Sequence, residues 1–144
     1  MLVSRRRGAL DVVLSAGLIA GTANLVNLLD LRPGRAIKAG LLVGAPLLLT
    51  PGAGGGVAAG TAGAVAGLLP ADLDEQVMLG DAGANALGAL LGTALAARTG
   101  PVGRAALLAG VVALTAASER VSFTQVIART PVLRELDTLG QRER

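Results

Sequence analysis

The sequence contains no cysteine and no histidine among its 144 residues. The absence of cysteine excludes disulfide bonds and thiolate metal sites. The absence of histidine excludes the usual zinc-hydrolase sites and Ser-His-Asp triads. Any chemistry that this chain performs must therefore use carboxylates, carboxamides, hydroxyls and basic groups.

Aromatic residues are almost absent as well, since the chain has one phenylalanine and neither tryptophan nor tyrosine. The net charge of +3 and the isoelectric point near 11.0 are compatible with nucleic-acid binding. Without aromatic side chains, however, there is no platform on which bases could stack. The basic residues also occur in short clusters between apolar segments, which is the pattern of membrane-topology signals. The sequence therefore predicts a membrane environment and no nucleic-acid partner.

Charged residues are scarce, at 16%, whereas hydrophobic residues make up 52% and the mean hydropathy is +0.63. Soluble domains carry about a quarter charged residues, so this balance indicates a protein of the bilayer. At about 20 residues per pass, the length allows no more than about five or six spanning helices.

Five apolar segments are separated by turns and charged loops, at residues 9–29, 37–50, 57–69, 82–97 and 102–117. The first is long enough to cross a bilayer. The second and third are short, so we expect them to extend into the glycine-rich link 51–56, to tilt, or to lie in a locally thinned membrane. That link predicts a tight hairpin, and Pro70 is expected to stop the third segment. A secretory signal peptide is the alternative for the first segment, because three arginines precede it. The apolar segments that follow favour a spanning helix.

The composition becomes polar after residue 117. Four apolar residues recur there at helical spacing and predict an amphipathic helix on a membrane or protein surface. The predicted fold is all-α: a polytopic integral membrane protein with about five transmembrane helices in residues 1–117 and an amphipathic tail in residues 118–144. The distribution of basic residues favours a cytoplasmic tail. The four apolar residues are Val132, Leu133, Leu136 and Leu139.

Glycine is abundant, and six Gly-x-x-x-Gly pairs occur where 21 glycines in 144 residues give about three by chance. Such pairs let helices approach closely in membranes, either within one chain or in a homo-oligomer. Composition bias is the alternative explanation. The pairs are Gly17/Gly21, Gly40/Gly44, Gly52/Gly56, Gly56/Gly60, Gly63/Gly67 and Gly88/Gly92.

Two polar islands interrupt the apolar sequence. The first contains Asn24, Asn27 and Asp30 at the end of the first apolar segment, and the second contains Asp81 and Asn85 at the start of the fourth. An even number of passes between them predicts that both islands lie at the same membrane face. An ionised carboxylate at such a place is costly unless it binds something. The alternative is structural: the asparagines bond to neighbouring helices, Asp30 ends a helix among headgroups, and Asp81 is an N-cap.

The residue types in these islands suit a magnesium and phosphate site. Mg²⁺ is commonly held by one or two protein carboxylates together with phosphate oxygens and water, so Asp81 and Asp30 are the predicted metal ligands. The carboxamides of Asn24, Asn27 and Asn85 can bind sugar hydroxyls or phosphate oxygens, which makes them the predicted substrate-binding residues.

At this point the motifs resemble a known enzyme family. Asn24-x-x-Asn27-x-x-Asp30 followed two apolar passes later by Gly80-Asp81-Ala82-Gly83 is similar to the pattern of the polyprenyl-phosphate N-acetylhexosamine-1-phosphate transferases. That family includes the phospho-MurNAc-pentapeptide translocase and the UDP-GlcNAc:undecaprenyl-phosphate transferase. The resemblance implies Mg²⁺-dependent transfer of a sugar-1-phosphate from a UDP-sugar to a polyprenyl phosphate. It implies that Asp81 and Asp30 are the catalytic residues. It also implies the cytoplasmic face of a bacterial plasma membrane and a part in cell-wall glycan synthesis.

The chain departs from the family pattern in several places. Pro33 stands where the family has a second aspartate, Ala84 stands where it has a serine, and the histidine-containing loop is absent. What remains resembles the C-terminal half of such an enzyme. One hypothesis is therefore a transferase whose N-terminal half is missing. A second is a non-catalytic membrane subunit or scaffold that keeps the family's helical core, and a third is a structural membrane protein with accidental motif matches.

Overall fold

The computed structural model describes residues 8–141, and all regular structure in that range is helical. Five long helices form a bundle, and two short helices follow. Arg5, Arg6 and Arg7, which entered the topology argument, lie outside the described residues, as do the last three residues of the predicted tail. The helices are α1 (Ala9–Leu29), α2 (Arg35–Leu48), α3 (Ala53–Leu73), α4 (Gly80–Arg98), α5 (Pro101–Ser118), α6 (Phe123–Arg129) and α7 (Pro131–Thr138).

Helices α1 and α4 together form the centre of the bundle. Helix α1 packs most extensively on α4, makes a second contact with α5 and a smaller one with α2, while α2 and α3 pack on each other and on α4. Because helices joined by short turns alternate in direction, the C-terminal end of α1 lies beside the N-terminal end of α4. The bundle therefore brings the segments before residue 30 and after residue 80 to the same end.

Two glycines of α4 explain why it approaches α1 so closely. A Cβ atom added at Gly88 would lie 2.5 Å from the Cα atom of Ala23, and one added at Gly92 would lie 2.8 Å from the Cα atom of Ile19. Here the backbones of the two helices are in contact with no side chain between them, as small-residue pairs allow in membrane proteins. This packing sets the relative position of the two polar islands.

The other glycine pairs divide into two groups. Gly17/Gly21 receive side chains of α5, and Gly40/Gly44 receive leucines of α4. Along α3, by contrast, a Cβ atom at Gly56, Gly60, Gly63 or Gly67 would meet nothing within 4 Å. Packing within the chain thus accounts for three of the six pairs.

The core between the helices is built from small and medium side chains. One cluster lies near the end that carries the islands, and a smaller cluster of Leu47, Ala58 and Ala94 lies further along. Leu18 and Ile37 are the largest fully buried side chains. The first cluster contains Val26, Ala36, Ile37, Val65, Ala84, Leu87 and Leu91.

The third helix is longer than its apolar segment. It begins at Ala53, so it extends into the glycine-rich link as the first of the alternatives expected, and the turn is confined to the residues before it. Gly52, with φ of 90°, lies in this turn. The helix ends at Leu73, so the prediction that Pro70 stops it is wrong. Glycine and proline disfavour helix interiors by about 1 and 3 kcal/mol, but packing against α2 and α4 decides the outcome here.

Three helices are long and apolar enough to cross a membrane: α1, α3 and α5. This finding confirms the all-α class and indicates a membrane protein. Helix α2 has only 14 residues, and α4, with 19, carries Asp81 and Asn85 in its first turns. The expected count of five spans therefore stays a prediction.

The segment after α5 folds back onto the bundle as α6 and α7. The guanidinium of Arg35 donates to both carboxylate oxygens of Asp137, at 2.7 and 2.8 Å, and to the hydroxyl of Thr124 at 3.0 Å. Lys38 donates to the backbone carbonyls of Leu136 and Asp137, at 3.1 and 2.5 Å. The tail is therefore attached to the start of α2, at the same end as the polar islands.

Candidate functional site

The two polar islands meet at one end of the bundle, which we call the aspartate end and define by Asp30, Asp72 and Asp81. Asp30 follows the last residue of α1. Its carboxyl group lies near the backbone N–H of Gly80, the residue before Asp81, and this N–H acts to lower the pKa of Asp30. The structure thus places the two sequence-predicted aspartates at the same end, beside each other.

The electrostatic surroundings of Asp30 are unfavourable for a negative charge. Partial burial raises the pKa of its carboxyl group, and the neighbouring carboxylates of Asp72 and Asp81 raise it further, while the N–H of Gly80 acts in the opposite direction. Within residues 8–141, no lysine or arginine forms an ion pair with any of these three aspartates. Such a group of like charges is stabilised when a cation binds.

Asp81 is exposed in the first turn of α4. The helix begins at Gly80, its cap residue is Leu79, and no side chain bonds to the cap. The structural alternative for Asp81, an N-cap, is therefore wrong. The amide nitrogen of Asn85 donates to the backbone carbonyl of Asp81 at 2.8 Å, which holds the carboxamide beside that turn.

The two asparagines of α1 differ in environment. Asn24 is exposed. Asn27 is partly buried, and its Oδ1 atom is buried with no hydrogen-bond donor among the described residues. A buried carbonyl oxygen without a partner costs about 1–3 kcal/mol, so its retention requires an explanation such as a ligand or water.

Asp72 is the part of the site that sequence analysis missed. It is only 2% exposed. One carboxylate oxygen accepts the N–H of Gly34 at 2.5 Å, and the other accepts the N–H of Leu79 at 3.2 Å. Asp72 therefore joins the loop that follows Asp30 to the loop that precedes Asp81. In the sequence it lies in an acidic stretch with Asp74 and Glu75, and nothing in that pattern distinguishes it from a solvated loop residue.

Glycine is required at the turn that Asp72 holds. Gly34 has φ of 71°, and a Cβ atom there would lie 2.5 Å from Cδ2 of Leu73. Gly80 also has a positive φ, 64°, although space around it is open. These backbone conformations favour glycine and let N–H groups point at the carboxylates.

The donor set fits a magnesium ion held jointly by protein and substrate. In residues 8–141, no group of three acidic, histidine or cysteine side chains converges as a complete metal site. Two neighbouring carboxylates, Asp30 and Asp81, are what Mg²⁺ commonly takes from a protein when phosphate oxygens and waters supply the other ligands.

Two basic residues near the site bind the C-terminal tail and not the three aspartates. Arg35 is 5% exposed and neutralised by Asp137, and Lys38 is bound to carbonyl groups of the tail. The Arg35 guanidinium, its hydrogen bonds and two neighbouring cations lower the pKa of the Asp137 carboxyl group against the opposing effect of its burial. Arg32 is exposed in the loop after Asp30. The ion pair and carbonyl contacts thus attach the tail rather than neutralise the aspartate end.

The geometry brings Asp30, Asp81 and the asparagines to one end, with Asp72 joining their loops. The roles assigned to them from the sequence stay predictions. Comparisons with protein-family models, curated proteins and solved structures give no match to this chain.

Proposed function

We propose that this chain is a phosphoglycosyl transferase-like membrane protein whose aspartate end binds Mg²⁺ and the phosphates of a UDP-sugar. The observation that supports it most is the meeting of Asp30 with the turn that carries Asp81. The motifs of the two islands resemble those of the polyprenyl-phosphate transferases, and their meeting gives that resemblance a geometric basis.

The proposed reaction transfers a sugar-1-phosphate to a polyprenyl phosphate. An oxygen of the lipid phosphate forms a bond to the phosphorus that carries the sugar, the bond from that phosphorus to the bridging oxygen breaks, and UMP leaves with the electron pair. When bound to Asp30 and Asp81, Mg²⁺ supplies positive charge that offsets the negative charge of the diphosphate.

The remaining polar groups have positioning roles in this proposal. Asn27 offers an unpartnered oxygen to a sugar hydroxyl, and Asn24 and Asn85 are exposed on the helices on either side. Asp72 keeps the two loops together, so the two metal-binding carboxylates keep their relative position without touching substrate. Precise placement of reacting groups contributes several kcal/mol to such reactions.

The proposal places the protein in the plasma membrane of a bacterium, with the aspartate end at the cytoplasmic face. Helices α1, α3 and α5 are long and apolar enough to cross. Helices α2 and α4 complete five passes when packed among them, because α4 is covered by α1, α2 and α3 and needs little contact with lipid. The product would enter cell-envelope glycan synthesis.

The direct test measures UMP release from UDP-sugars by the reconstituted chain with polyprenyl phosphate. We expect release that requires Mg²⁺ and falls at least about 100-fold in Asp30→Asn and in Asp81→Asn, since loss of a metal ligand removes charge stabilisation of the transition state. Glu119→Gln is the matched control, because Glu119 is an exposed carboxylate at the end of α5. Metal-independent release, or release unchanged in both aspartate variants, would contradict the proposal.

A second candidate function is a non-catalytic membrane subunit or scaffold. The observation that favours it is the engagement of Arg35 and Lys38 with the tail, which leaves few cations for a diphosphate. A scaffold predicts that Asp81→Asn keeps the cellular role and that Gly88→Leu, which separates α1 from α4, destroys it. An enzyme predicts that both variants lose the role, so the Asp81→Asn phenotype distinguishes the two.

A further inference from the structure

The tail is attached to the bundle through a polar side chain. Asp137 is 9% exposed and forms its ion pair with Arg35. Gln141 adds a hydrogen bond from its side-chain nitrogen to the carbonyl of Pro33, at 3.0 Å. Buried charged pairs of this geometry fix orientation, so the rotation of α7 about its axis is set by these contacts.

The apolar side of α7 remains uncovered as a result. Val132 is 66% exposed, Leu139 is 67% exposed and Leu136 is 40% exposed. An amphipathic helix in a globular protein normally buries its apolar face. Here the helix docks by its polar residue and leaves the apolar side open, which indicates that something other than residues 8–141 covers it.

The side chains of α7 point in three different directions around the helix axis. At about 100° per residue, Asp137 points toward the bundle, and Val132 and Leu139 lie together roughly 140–160° away from it. Arg134 and Thr138 lie about 60–100° from Asp137 on the other side. Leu133 and Leu136 lie between Asp137 and the apolar residues and line a groove shared with Leu42 of α2.

The groove connects the apolar side of α7 with the side of the bundle that faces lipid in the proposed membrane. Leu42 and Val43 of α2 are 60% and 48% exposed. Because α7 is held at the first turn of α2, it lies at the level where the bundle leaves the hydrocarbon. Exposed arginines at positions 120, 129 and 134 add positive charge complementary to anionic headgroups.

We propose that the apolar side of α7, formed by Val132, Leu136 and Leu139, lies in the headgroup and acyl-chain boundary of the bilayer. The Arg35–Asp137 pair sets its rotation so that these residues enter lipid while Arg134 and Thr138 face water. Interfacial helices bury their apolar face about 5–10 Å into that boundary. The inference rests on the membrane assignment in the proposed function and not on its chemistry.

The absence of tryptophan makes the test direct. Val132→Trp and Leu139→Trp place a single fluorophore on the apolar side, and Thr138→Trp is the matched control on the same helix. Each full chain is reconstituted into phosphatidylcholine–phosphatidylglycerol vesicles whose lipids carry bromine near the headgroup end of the acyl chain. We expect bromine to remove about half of the emission of the first two variants, at a depth of about 5–10 Å, and acrylamide in the water to quench mainly Thr138→Trp.

The proposal is overturned if acrylamide quenches Val132→Trp and Leu139→Trp as strongly as it quenches Thr138→Trp, because the apolar side then faces water. Protection of both from acrylamide and from bromine would also overturn it and would indicate a second copy of the chain on that face. Resistance of the protein to alkaline extraction from the vesicles tests the spanning helices separately. A chain that is extracted contradicts the membrane assignment itself, whatever the probes report.

Discussion

The two ends of the helical bundle differ in the groups that surround their charged side chains. At the end away from the aspartates, Arg104 is 7% exposed, pairs with the carboxylate of Asp11, and donates from Nε to the carbonyl of Ala96 at 2.9 Å. The ion pair and the carbonyl contact join α1, α4 and α5. At the aspartate end, three carboxylates gather, and backbone N–H groups rather than cations meet two of them.

This difference separates charges that hold the fold together from charges that are available to a ligand. Breaking a buried ion pair lowers the stability of a protein. Holding a group of like charges together also lowers it, and proteins retain such groups at binding and catalytic sites. Removing Arg104 should therefore lower stability, whereas removing the charge of Asp30 should not.

The largest loss of stability is expected for Arg104→Met. Breaking a buried pair by removing one partner costs about 3–5 kcal/mol, and the hydrogen bond from Nε to the carbonyl of Ala96 is lost with it. Thermal unfolding in detergent measures the change. Arg104→Lys, which keeps the positive charge, should lose less stability, and a loss as large as that of Arg104→Met would show that packing of the arginine, rather than charge, was responsible.

Asp72→Asn should have the next largest effect on stability, and it should also lower the proposed transferase activity. The carboxamide keeps one oxygen for one of the two N–H groups and presents an NH₂ group to the other, which costs about 1–3 kcal/mol. Activity should fall further than stability explains, through kcat rather than KM, because Asp30 and Asp81 lose their relative position. Glu119→Gln, at an exposed carboxylate after α5, is the control, and equal effects of the two variants would contradict a special role for Asp72.

Asp137→Asn is expected to affect the tail alone. The carboxyl pKa of Asp137 is lowered chiefly by its hydrogen bond from Arg35, so the stabilisation is present above the ordinary value of 3.8 and is lost as the pH falls through the lowered pKa. The variant should therefore behave at neutral pH as the native tail behaves in acid. Faster trypsin cleavage after Arg129 and Arg134 measures the release. Glu135→Gln, an exposed change on α7, should leave the cleavage rate unaltered.

The smallest effect on stability is expected for Asp30→Asn, and its sign should be opposite to that of Arg104→Met. Burial and two neighbouring aspartates raise the pKa of Asp30, so the folded state binds this proton more tightly than the unfolded state. Stability is then lost as the pH rises from 3.8 through the raised pKa. At neutral pH the variant should unfold at the same temperature as the native protein or a higher one, with a flatter pH profile. A clear loss of stability would mean that Asp30 is structural.

The sequence was sufficient for the helical class and for the main helices because apolar segments of these lengths favour helices in a membrane. It was also sufficient to bring the islands together, since that depends only on the number of passes between them. The length of α3 was not predictable from local rules, because glycine and proline signals in residues 54–56 and at Pro70 were overridden by packing.

Tertiary contacts, which no local pattern reports, decided the remaining features. Asp72 lies in an acidic stretch, yet its carboxylate accepts the N–H groups of Gly34 and Leu79, which lie in two different loops. Among the glycine pairs, Gly88/Gly92 meets a helix backbone and Gly56/Gly60 meets open space. The amphipathic pattern of the tail was visible, but its docking through Asp137 depends on Arg35, about a hundred residues earlier.

The backbone contact at Gly88 and Gly92 has a consequence for motion. Two helices that touch through their main chains cannot rotate or slide past each other without a clash, so α1 and α4 form one rigid unit. Adjustment to an incoming molecule is therefore confined to the connections at residues 31–34 and 74–79, where a few backbone angles can change. We expect amide hydrogen exchange to slow in these two stretches when a ligand binds at the aspartate end.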